Sequence, residues 1–77
     1  MEPTPGTTTL VFHYLDGASD RDFHLPGLLR GEPLHQRLDV LLAEHRTRAL
    51  DPHIDVYRCH HDGGLELEEV RLLASNL

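Results

Sequence analysis

Hydrophobic positions along the chain change period twice. Between Thr7 and Leu15, the residues Leu10, Phe12 and Tyr14 alternate with Val11 and His13, the period-two pattern of a strand with one face toward a core. β-Branched and aromatic residues are frequent here and suit a pleated, half-buried surface. Asp16-Gly17-Ala18-Ser19-Asp20 follows as a turn cluster, with Gly17 free to take a positive φ. Phe23 and Leu25 then alternate with Asp22 and His24, so the first two segments are expected to form a β-hairpin.

From Leu34 the period lengthens. Leu34, Leu38, Leu41, Leu42 and His45 fall on one stripe of an amphipathic helix, with Arg37, Asp39, Ala43 and Glu44 among the residues on its other side. Pro33 suits the first turn. The helix is expected to end near Thr47, because Asp51-Pro52 blocks its continuation. Ile54 to Cys59 alternates again, with Ile54 and Val56 inward, and His60-His61-Asp62-Gly63-Gly64 is the next turn. Leu65-Glu66-Leu67 opens a short fourth strand, and Glu68 to Asn76 reads as a brief helical turn carrying Val70, Leu72 and Leu73.

Seventy-seven residues suffice for one domain. A core of that size leaves a net stability of about 3–5 kcal/mol, and such a chain seldom builds a deep preorganised pocket. Binding is therefore expected rather than catalysis, with no cofactor. The composition, 39% apolar and 26% charged, fits a folded globular unit. No apolar run approaches the roughly 20 residues of a membrane span. Met1 to Gly6 lacks the basic and apolar regions of a secretory signal, so residues 1–7 read as a flexible leader and 8–77 as the domain. The single cysteine, Cys59, excludes an internal disulfide and fits a reducing compartment, the cytoplasm by expectation.

Charge narrows the partner class. Thirteen acids against seven bases, all arginine, give a net charge of −6. That balance opposes binding to nucleic acid or to an anionic membrane, which needs clustered positive charge. Seven histidines would carry the formal charge from −6 to +1 if all were protonated, so the surface charge responds to pH across the histidine range.

The succession of strand, strand, helix, strand, strand resembles the ubiquitin-like β-grasp, an α+β fold. Within that group the chain is most similar to the Raf-type Ras-binding domains of kinases and some Rho guanine nucleotide exchange factors. The likeness is carried by Leu10 to Gly17, Pro33 to Leu38, Ala49 to Pro52, Ile54 to Tyr57 and Leu65 to Leu67. It implies a domain that docks a small GTPase through its second strand and first helix. Arg21, Asp22, His24, Arg37, Arg46 and Arg48 are the candidate contact residues on that basis. Raf-type domains use mostly basic residues there, and Asp22, His24, Val40, Ala43 and His45 depart from that pattern. A β-grasp also closes with a fifth strand between its first and third. The chain reaches Leu77 about where that strand would begin, so either the strand lies outside this chain, or its slot is filled by another chain or by a different register. An unfilled slot would be able to pair with another chain or to form a homodimer.

Other chemistry is weaker. His53, Cys59, His60 and His61 are zinc-ligand types, but zinc takes about four ligands, commonly from separated pairs, and adjacent strand residues point to opposite faces. Solvent-facing histidines are the expectation, with a histidine-based metal domain as the alternative. Cys59 has no evident base beside it and is expected to be structural. His13 and His24 are expected to be neighbours across the hairpin, on its solvent face.

Overall fold

A computed structural model of the chain describes residues 4–15, 17, 19–44 and 50–71. The first alternating stretch is β1 (Thr7–Tyr14) and the second is β2 (Arg21–Pro26). The leucine stripe lies on α1 (Gly31–Glu44), and β3 (Leu50–Cys59) and β4 (Leu65–Arg71) follow. The result is an α+β fold in two layers. One layer is a sheet with strand order β2-β1-β3-β4, every neighbouring pair antiparallel; the other is α1. No helix among the described residues is long and apolar enough to cross a membrane.

Period two sorts each strand into an inner and an outer lane. Thr8, Leu10, Phe12 and Tyr14 point inward from β1, and all are buried. Leu10 lies opposite Phe23 of β2 and Val56 of β3, while Phe12 lies opposite Ile54, which in turn faces Val70 of β4. The rings of Phe12 and Phe23 meet with centroids 4.8 Å apart and planes tilted by 55°, a geometry the aromatic quadrupole favours. Onto this lane α1 lays Leu34, Leu38 and Leu42, all buried, with Leu41 packed at the margin. Each fully buried side chain of this kind contributes about 1.5–3 kcal/mol. Val40, on the far side of the helix, is exposed.

Two expectations are corrected. First, β1 pairs directly with β3, from Thr7 opposite Cys59 to Phe12 opposite Ile54. No slot separates the first strand from the third, and β2 and β4 are the outer strands of the described sheet. The neighbours of β1 satisfy its backbone on both sides, one of them 42 residues away in sequence at the Phe12–Ile54 pair. Second, Glu68 to Arg71 is strand, not helix, because β4 continues pairing with β3 as far as Arg71 opposite His53. The third strand also starts earlier than its alternation suggests, at Leu50, and passes through Pro52. Pairing begins inside the stretch read as a leader: the Gly6 N–H donates to the Cys59 carbonyl at 2.7 Å. Gly6 has φ +79°, and a Cβ there would fall 2.7 Å from the His61 ring, so this position requires glycine.

Candidate functional site

At the N-terminal end of α1 the inner lane of the sheet is polar. Arg58 shares its lane with Ile54 and Val56 and is 1% exposed. Its Nε donates to the Leu29 carbonyl at 2.7 Å, one terminal nitrogen reaches Glu66 at 2.9 Å, and the other reaches Glu68 at 2.7 Å. Beside it, the Thr8 hydroxyl donates to the Gly27 carbonyl and accepts from the Leu29 N–H. Together these bonds pin the β2–α1 connection onto the sheet. Glu66 also accepts from both terminal nitrogens of Arg30 and contacts His60 Nε2 at 2.9 Å. The Arg30 guanidinium first, then His60 and Arg58, hold its carboxyl at about 2, far below the usual range. All buried side-chain nitrogens and oxygens among the described residues find hydrogen-bond partners.

This network decides which way β4 faces. The 60–64 turn closes with the His60 N–H on the Gly64 carbonyl and the Gly63 N–H on the His60 carbonyl, Gly63 having φ +89°. It sets Cys59 opposite Leu65 and Arg58 opposite Glu66. The acids Glu66 and Glu68 therefore join the inner lane, and Leu65 and Leu67 point outward. They are 61% and 55% exposed, and Tyr57, opposite Leu67, is 36% exposed. An apolar corner thus lies on the sheet face opposite α1, along the outermost strand of the described sheet.

Further along the same outer lane the character becomes ionic. Asp55 lies opposite Glu69, and His53 opposite Arg71. The His13 ring sits between two carboxylates, Nε2 at 2.9 Å from Asp55 and Nδ1 at 3.0 Å from Asp20. A neutral imidazole has one N–H, so both contacts are met as hydrogen bonds when the ring is charged. The contact with Asp55, helped by Asp20, raises the His13 pKa above 6.5. The stabilisation this provides is complete below the unfolded value and disappears as pH rises through the higher folded value. Ring-proton NMR should place the His13 midpoint above 6.5. The thermal midpoint should fall between pH 6 and pH 8 by more in the native chain than in His13→Gln; equal falls would show that the ring contacts do not select the charged form.

The described residues among those singled out from sequence lie on three surfaces. Asp22 and His24 are exposed on the outer lane of β2, His24 bonding Thr9 Oγ1 at 2.9 Å. Arg21 belongs to the inner lane, its guanidinium 5.7 Å from the Phe23 ring centroid. Arg37 is exposed on α1. Arg46, Arg48 and His45 lie outside the described residues. His13 and His24 are not neighbours, because the register sets His24 opposite Thr9 and His13 beside Asp20. Cys59 is buried. Among the described residues, no group of three or more His, Cys, Asp and Glu side chains is placed to hold a metal ion.

Sequence reasoning missed Arg58 and the outward turn of Leu65 and Leu67. The signal was the parity of Arg58 with Ile54 and Val56, which places an arginine in the buried lane and asks for acids beside it. No protein-family model, curated protein or solved structure matches the chain.

Proposed function

We propose that this domain is a non-catalytic interaction module that receives a protein partner on the outer face of the β3–β4 pair. One observation carries the reading: Tyr57 of β3 and Leu65 and Leu67 of the peripheral strand β4 are exposed together, while Glu66 and Glu68 of β4 point inward and are neutralised by Arg58. Outer strands are usually blunted by charge on their solvent side. Holding leucines out and carboxylates in is a costly arrangement unless the leucines meet something. The setting we infer is cytoplasmic, in keeping with a single cysteine whose thiol is buried.

The hairpin, helix and two further strands support a likeness to the ubiquitin-like β-grasp, whereas the adjacency of β1 and β3 sets the chain apart from the five-stranded form. A small GTPase is the partner that resemblance implies, and its contact surface would be the other sheet edge. That second reading is favoured by the exposure of Arg21 on the outer strand β2 and of Arg37 on α1, with Asp22 opposing it.

Both readings are tested by a photo-crosslinking amino acid placed in cells at Leu67, at His24 or, as a control, at Leu15, exposed but on neither named surface. Protein adducts from position 67 are expected to exceed those from 15. Adducts from 24 alone would favour the β2 edge, and none from 67 or 24 would reject docking altogether.

A further inference from the structure

We propose that the outer face of β3 and β4 takes a basic amphipathic helix of a partner protein, bearing two apolar residues a turn apart and an arginine or lysine one turn beyond. This rests on the docking reading and adds the partner's chemistry. Along β4 the outward residues run Leu65, Leu67, Glu69, and opposite them on β3 run Cys59, Tyr57, Asp55. Both strands pass from apolar to acidic at the same rung. Alternate residues on one strand are about 6.8 Å apart, which a helix covers in four to five residues at its rise of roughly 1.5 Å. The face therefore reads as apolar, apolar, basic at about i, i+4 and i+8 of the incoming helix.

The acidic rung supplies the charge argument. Like charges directly opposite each other on a sheet are destabilising, and Asp55 faces Glu69. His13 engages Asp55, but the Glu69 carboxylate makes no hydrogen bond or ion pair among the described residues. A cation arriving from outside relieves that juxtaposition and is drawn by the net charge of −6. A second copy of this chain would bring the same net charge and the same rung, so repulsion opposes it. A helix fits better than a strand because the inner face of this sheet already shows the packing, with Leu34, Leu38 and Leu42 laid across it.

The test is an NMR titration of the full chain with two synthetic helical peptides, each with leucine at the two apolar positions. One carries arginine at the third position and the other glutamate. The arginine peptide is expected to give saturable shifts at Tyr57, Leu65, Leu67 and Glu69, about tenfold tighter than the glutamate peptide. Leu65→Ser with Leu67→Ser should abolish those shifts. Glu69→Arg, an exposed change checked for folding by circular dichroism, should invert the preference between peptides. Equal affinity for both peptides overturns the basic partner. So does sedimentation of a dimer that Leu67→Ser dissolves, which would identify a second copy instead. No shift with either peptide overturns the helix. Any of these failures can coincide with crosslinked adducts at position 67, which would leave the docking role standing.

Discussion

Replacing Arg58 with methionine is expected to cost about 3–5 kcal/mol, the usual penalty for breaking a buried ion pair from one side. Against a total stability of about 3–5 kcal/mol for a core of this size, the variant should be largely unfolded at room temperature. The reason lies in the asymmetry of the site. Arg58 is 1% exposed, whereas its partners Glu66 and Glu68 keep 33% and 48% of their side-chain surface. The cation has lost its water and is compensated by two carboxylates and the Leu29 carbonyl. Without it, Glu66 and Glu68 face the inner lane with one cation fewer, and the Leu29 carbonyl loses its donor. A second change separates charge from packing. Glu66→Leu combined with Arg58→Met should recover more than half of the loss in the urea midpoint, since apolar replacements of buried pairs are often well tolerated. Loss of less than about 1 kcal/mol in the single variant would mean the guanidinium is not a structural anchor. In the native chain Glu66 stays ionised down to about 2. Its share of stability is present above the normal carboxylate range, and acid removes it progressively as pH falls from that range through the low folded value.

Leu38→Ala is the second large effect, expected at about 2–5 kcal/mol. Leu38 is 2% exposed at the middle of the α1 stripe, between Leu34 and Leu42. The neighbours on the inner lane, Leu10, Phe12, Ile54 and Val56, are at 0%, so little room exists for the gap to collapse. Val40→Ala, two residues along and 54% exposed, should change stability by less than about 0.5 kcal/mol. Denaturation of the pair by urea checks both values together. Similar losses at 38 and 40 would show that α1 does not lie on the sheet by its leucine stripe.

These two cases mark where sequence reading succeeds and where it stops. The lanes of β1 and β3 and the stripe of α1 were legible because burial repeats at the period of the element, and Leu10, Phe12, Ile54, Val56, Leu34 and Leu38 all lie where their spacing put them. In β4 the same logic misleads. Leu65 and Leu67 alternate with Glu66 and Glu68, and hydrophobicity alone would turn the leucines in. A strand's parity is set by its register, and a one-residue slip reverses every side chain. Here the 60–64 turn and the demand of buried Arg58 for carboxylates fix the register with the acids inward. The adjacency of β1 and β3 was equally hidden, because nothing local in either strand names its neighbour. Arg21 and Asp22 are consecutive and so point to opposite sides of β2, a consequence of strand geometry that a list of nearby charges overlooks.

The seam between β1 and β3 has a kinetic corollary. Each hairpin, residues 7–26 and 50–71, closes through short-range pairing, whereas their union joins residues 36 to 52 positions apart. Chain entropy is spent in one instalment, when two preformed ribbons zip edge to edge beneath the helix that tethers them. The rate of acquiring the native state should accordingly follow substitutions in Leu10, Phe12, Ile54 and Val56 more closely than substitutions in either reverse turn.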